Sequence, residues 1–245
     1  MRGEAIKRVA RHPAAAQAAS AVLQRDFSLW LLRPLVKALI LRPATTTQQP
    51  SMLSNRFDAT FYRRFYVDAR TRVTTREEMA RRAAAVAALL KYLELPVRSI
   101  LDAGCGLGLM RAPMLRAFAA ATYTGIEVSE HLCKRYGWTP ASLASYRPQR
   151  RFDLILCYDV LQYLSDRDAA RALANLGRLC RGALYFHAPT NEDWHATADR
   201  SVSDSDIHLR GADWYRSRLD RNFIHAGFGL HIRRGVPFAQ WELER

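Results

Sequence analysis

Three glycines at alternate positions, Gly104, Gly106 and Gly108, follow the short apolar run of Val97, Ile100 and Leu101, and they constrain this chain more than any other stretch of it. Such a run suits a strand buried on both faces, as at the centre of a parallel sheet. Glycine has no Cβ, so a chain turning sharply off a strand tip through glycines can lay bare backbone N–H groups against a ligand where any side chain would collide. Residues 99–108 therefore read as a strand that breaks into a loop built for a nucleotide-like body. Two common versions of that loop are excluded. A dinucleotide fingerprint, Gly-x-Gly-x-x-Gly, would need glycine where Leu109 or Arg111 stands, and no Gly-Lys-Ser/Thr follows to make a phosphate loop.

The next β-prone run, Thr122 to Glu127, ends in a carboxylate. Nucleotide-binding α/β folds place the acid that accepts ribose hydroxyls there, roughly twenty residues past the loop. Taken together, Asp102-x-Gly104-x-Gly106-x-Gly108 and Glu127 resemble motif I and the second strand of the class I S-adenosylmethionine (SAM)-dependent methyltransferases. The resemblance implies an α/β fold: a Rossmann-like seven-stranded sheet with helices on both faces and a closing antiparallel hairpin. It also implies SAM as cofactor. The loop Gly104, Cys105, Gly106 and Gly108 would pass beneath the methionine part, Asp102 would order the loop, and Glu127, beside Val128, would hold the 2′ and 3′ hydroxyls. Many family members carry an acid against the adenine amino group, where this chain has Ser142 and Leu143.

A second stretch, Phe152 to Leu164, is a buried strand that turns polar at its tip, where open α/β sheets have their ligand crevice. It resembles motif IV of the branch acting on small molecules, with Cys157 and Tyr158 toward the cofactor and Asp159, Gln162 and Tyr163 toward the substrate. Asn/Asp-Pro-Pro-Tyr/Phe, a cysteine nucleophile beside proline and a paired-glutamate loop are all missing, which argues against DNA-base amino, cytosine-carbon and protein-arginine methylation. A hydroxyl or amine acceptor that must lose a proton calls for a base. Asp159, Tyr163 and His208 are the leading candidates, with His187 and His195 beside them.

The chain of 245 residues, 49% hydrophobic, is long enough for one α/β domain plus an extension. Residues 1–50 form the extension: basic, apolar in runs too short to span a bilayer, and suited to a helix that lies on an anionic membrane, docks on the enzyme core or pairs with a partner. Residues 51–245 form the methyltransferase domain, with 51–96 as a helical lid and cap and 97–245 as the core. Phe57, Phe61 and Phe65 share a helical face; the resemblance implies that this segment folds over the cofactor as a lid, with Tyr62, Arg64 and Tyr66 suitably placed. Thr75 and Glu78 make a capping box for a helix to Leu93. Trp214 to Ile224 reads as a last helix, and strands near 229–233 and 237–242 as the closing hairpin.

Four scattered cysteines fit a reducing cytoplasm and suggest neither zinc nor disulfides. Asp204, Asp206 and His208 read as a solvated, substrate-facing loop, and no metal is expected. The sequence thus points to a methyltransferase moving a methyl group from SAM to an O or N atom of a small-molecule or lipid-linked acceptor. The formal net charge of +14 keeps open an RNA or ribonucleoprotein substrate, and retained cofactor motifs do not exclude a non-catalytic assembly protein.

Overall fold

A computed structural model describes residues 56–244. The expectations for residues 1–50, including membrane contact, lie outside the described residues.

The glycine-loop strand, β1 (Ser99–Ala103), is buried at all five positions and pairs in parallel with β2 (Thr122–Glu127) on one side and β4 (Phe152–Tyr158) on the other. Beyond β2 lies the two-residue β3 (Thr139–Pro140). On the far side β4 pairs in parallel with β5 (Cys180–His187), and the hairpin of β6 (Phe223–His225) and β7 (Leu230–Arg233) closes the sheet in the order β3-β2-β1-β4-β5-β7-β6. Of the seven strands only β7 runs against the rest.

Strand alternation sorts the core into two layers. Leu154 and Leu156 of β4, with Ile100, Ala183 and Tyr185, face α2 (Arg76–Tyr92). Ile155 and Cys157, with Leu101, Leu184 and Phe186, face α5 (Asp166–Leu179). Helix α2 presents Met79, Ala83, Val86, Ala87 and Leu90 to the sheet, and its start is the expected capping box: Thr75 Oγ1 accepts from Glu78 N at 3.1 Å while Glu78 Oε2 accepts from Thr75 N at 2.7 Å. Burying each of Met79, Val86 and Leu90 contributes about 1.5–3 kcal/mol, and the two alanines less. Helices α3 (Arg111–Ala117), α4 (Glu130–Tyr136), α6 (Asn191–Ala196) and α7 (Ala212–Leu219) complete the cover, and a short α1 (Ala59–Tyr62) continues as a π-helical turn, Arg63–Val67.

Two expectations are corrected. The last helix stops at Leu219, because Phe223 and Ile224 belong to β6. The closing hairpin is therefore Phe223–His225 with Leu230–Arg233, turned by Gly227, Phe228 and Gly229, all at positive φ, and residues 237–241 add no strand. The hairpin joins β6 directly to β7 through the left-handed turn that two glycines make accessible.

Candidate active site

The tips of β1, β2 and β4 surround a crevice whose floor is the glycine loop. Gly104, Gly106 and Gly108 have φ of +74°, +50° and +67°, a region that side chains disfavour. At Gly104 a close approach adds to this: a Cβ would lie 2.5 Å from Val160 Cγ2 just past β4. The loop is tied to β2 at both ends of its first turn. Gly104 N and Cys105 N both donate to Ile126 O, at 2.9 and 3.1 Å, and Gly106 N donates to Glu127 Oε2 at 2.8 Å. Trp138 Nε1 donates to Gly106 O at 2.9 Å, anchoring the loop from behind.

Glu127, buried at the tip of β2, also accepts from Val128 N and Ser129 N on Oε1, at 2.8 and 3.0 Å. Burial raises its pKa, and the three backbone donors work against that shift. Counting in-plane acceptor directions, Oε1 is full and Oε2 keeps one, so Glu127 has room for one direct ribose hydroxyl bond in this arrangement rather than two. Asp102 accepts from the Tyr123 hydroxyl. Burial pushes its carboxyl up to about 7; the hydroxyl opposes the shift and nearby Glu127 adds to it.

Two cavities, with about 680 and 630 Å³ of open space, share Gly104, Gly106, Tyr66, Tyr158 and Asp159 as walls. The first extends past Glu127, Val128, Ser142 and Leu143, and the second past Asp102 and Cys105. The loop carrying Ser142 and Leu143 is held by a buried side chain of α5: Asn175 Nδ2 donates to Leu143 O at 2.7 Å and to Tyr146 O at 2.9 Å. The lid closes the front of the first cavity with Phe57, Phe61, Tyr62 and Tyr66, while Arg64 is exposed and lies over the Phe65 ring instead. Phe57 O accepts from the Ser129 hydroxyl, so the lid is hydrogen-bonded to the residue that caps α4 just past β2.

Two members of the predicted cofactor set fall outside these walls. Cys157 is wholly buried in the layer facing α5, because side chains alternate along β4 and Tyr158, not Cys157, turns toward the crevice. Gly108 makes space for the Trp138 ring, which a Cβ there would approach to 2.7 Å.

Of the candidate bases, Asp159 lines both cavities and Tyr163 lines the first. Burial, with Asp204 and Asp159 nearby, raises the Tyr163 phenol above its usual range, so it stays protonated at neutral pH. His208 is exposed and lines neither cavity; its backbone N donates to Gln162 O at 2.7 Å. His195 is likewise exposed and lies beside Arg200. His187 is also exposed and lines neither cavity, but sheet register sets it opposite Tyr158 and brings it to Asp159, which lines both: its Nδ1 lies 2.6 Å from Asp159 Oδ1, and its carbonyl accepts from Asp159 N at 3.0 Å. Asp159 holds φ +55°, a conformation that costs a non-glycine residue on the order of 1 kcal/mol.

One contributor left no trace in the motifs. Arg56, at the start of the lid, pairs with Asp204 at 2.7 Å and Asp206 at 3.0 Å, and its guanidinium lies 5.1 Å from the Tyr163 ring centroid. The Asp204–His208 loop is thus strapped to the lid.

No curated protein matches the chain. Among solved structures, magnesium protoporphyrin IX methyltransferase from Synechocystis PCC 6803, with bound SAM, superposes with a TM-score of 0.53 at 18% identity, over 75% of this chain and 96% of that one. The sugar N-methyltransferase KedS8 from Streptoalloteichus sp. ATCC 53650 gives 0.54 at 17% identity, over 64% and 89%. These likenesses establish the shared fold. A family model described as a methyltransferase domain matches residues 74–231, from the cap of α2 through the glycine loop and both carboxylate-bearing strand tips into β7, and the chain belongs to that methyltransferase family.

Proposed function

We propose that this enzyme transfers a methyl group from SAM to an oxygen or nitrogen atom of a small-molecule or lipid-linked acceptor by direct in-line displacement. The observation that carries the reading is the Gly106 N to Glu127 Oε2 hydrogen bond, which joins the glycine loop and the ribose-type acid into one preformed crevice. The residues present fit the cofactor. The floor at Gly104 and Gly106 is free of side chains, Glu127 retains one acceptor direction, and the walls at Val128, Ser142 and Leu143 are mostly apolar with a single hydroxyl.

When bound, SAM supplies a methyl group made electrophilic by the sulfonium. The chain's own contribution is position and exclusion of water. Glu127, Ser142 and Leu143 fix the nucleoside end; Asp102 and the loop order the methionine end; Phe57, Phe61, Tyr62 and Tyr66 shield the crevice. Holding two reactants in line accounts for much of the acceleration such a reaction needs. Two proteins that share the fold are named for a porphyrin and a sugar acceptor, which supports a small-molecule acceptor here.

Calorimetric titration of the purified protein with SAM and S-adenosylhomocysteine (SAH) tests the reading. Saturable binding is expected, abolished by Gly106→Arg, which fills the crevice floor. A folded wild-type protein that produces no heat with either ligand would overturn it.

A further inference from the structure

Asp159 and His187 sit on the tips of neighbouring strands, on the far side of the crevice from Glu127, and each is held by more than the other's side chain. Their backbones are hydrogen-bonded at 3.0 Å, the imidazole stacks on the Tyr158 ring at 4.8 Å between centroids and 21° between planes, and Tyr158 is in turn covered by the Arg82 guanidinium at 4.5 Å. The pair is partly open to water, with side-chain exposures of 29% for Asp159 and 44% for His187. An exposed pair of this kind stabilises a fold little, while the left-handed backbone at Asp159 costs stability. Folding therefore does not explain the arrangement. Orientation does: Asp159 occupies Nδ1 of an imidazole whose plane is already set by stacking, which leaves Nε2 as the nitrogen available to a reacting proton.

We infer that His187 is the proton acceptor of the methyl-transfer step, that Asp159 is its positioning residue, and that the acceptor substrate presents a hydroxyl group. This rests on the methyltransferase reading above. A neutral amine already has a free lone pair of adequate reactivity, whereas an alcohol or phenol is a weak nucleophile until its proton is taken. The step balances without a further reactant. The hydroxyl oxygen's pair forms the new O–CH₃ bond, the S–CH₃ bond breaks with its pair going to sulfur, and the O–H proton passes to Nε2. The resulting imidazolium is held by the Asp159 carboxylate, and the exposure of His187 lets the proton leave to water.

The test begins with the ring itself. In ¹⁵N-histidine-labelled protein saturated with SAH, the His187 resonance is assigned by its loss in His187→Asn. The expected neutral tautomer carries its proton on Nδ1 with Nε2 bare, and Asp159→Asn shifts the proton toward Nε2. A wild-type ring protonated on Nε2 overturns the proposal. The second arm offers SAM with a panel of phenols and alcohols, and the matching amines, and reads SAH formation. His187→Asn should lose at least a hundredfold in hydroxyl methylation while binding SAH within twofold of wild type. Hydroxyl turnover unchanged in His187→Asn, or turnover of amines alone, overturns it. A ring protonated on Nε2 overturns the proposal even where the panel holds no substrate, the loss of hydroxyl turnover in His187→Asn is what supports it, and failure of the methyltransferase reading would appear separately, as absent SAH binding.

Discussion

The two sides of the crevice are built from different materials. On the β1–β2 side the work is done by backbone: glycines with no side chain to intrude, and the N–H groups of Gly106, Val128 and Ser129 converging on Glu127. On the β4–β5 side it is done by side chains, an aspartate, a histidine and a tyrosine whose relation is set by strand register. The difference teaches where each kind of site is tolerant. A backbone cradle fails when one residue gains a side chain or one acceptor is lost. A side-chain pair can be edited with the fold intact, because its members face water.

The sharpest way to break the comparison is Glu127→Ala. It strips three backbone donors of their acceptor, each unsatisfied group costing about 1–3 kcal/mol unless water replaces it. The expected result is a loss of about 3 kcal/mol in unfolding free energy together with at least a hundredfold loss in SAH affinity, read by denaturant titration and calorimetry. His187→Asn should leave both nearly unchanged. Equal damage from the two substitutions would erase the distinction.

Asp102→Asn probes the same backbone side through pH. The Asp102 carboxyl titrates near 7 in the fold, against an ordinary value of 3.8 when unfolded. Its stabilising contribution is therefore complete below about pH 4 and is lost as pH rises through 7, since the folded state holds a proton the unfolded chain has released. Asparagine does not titrate. The variant should gain on wild type by about 2.6 kcal/mol between pH 5 and pH 8, at 1.36 kcal/mol per unit, as measured by urea unfolding of the apo-protein at each pH. A pH-independent difference would contradict the burial of that charge.

The smallest effect expected is that of Arg56→Ala. Its ion pairs to Asp204 and Asp206 are partly exposed, and such pairs contribute about 0.5–1 kcal/mol. Faster amide exchange confined to residues 199–208 and the start of the lid, with SAH affinity within threefold, would place the strap outside the cradle. A large loss of SAH affinity would make it part of the cradle instead.

How much of this was legible in the sequence follows the same division. The glycine loop, Glu127 and the α2 capping box are local patterns, in which the residues that act together are near neighbours or separated by one supersecondary unit. The resemblance turns Cys157 toward the cofactor, but Cys157 and Ile155 pack under α5 while Leu154 and Leu156 between them face α2, an alternation that strand parity carries. Residues 237–242 read as the partner of 229–233, yet Phe238 and Trp241 lie in a segment that forms no strand. Asp159 with His187, and Arg56 with Asp204, are joined across 28 and 148 positions, and no periodicity in one segment encodes which distant residue its tip will meet.

The edge strand β3 has a consequence of a different order. It is two residues long and its second residue is Pro140, opposite Glu127. A proline offers no N–H to an incoming chain, and two residues give too little ladder to template one. Where β3 covers β2, beside Ile126 and Glu127, the sheet margin therefore offers little to edge-to-edge addition between molecules. The same short segment that delivers the chain to Ser142 and Leu143 protects the protein from polymerising through the side that bears its cradle.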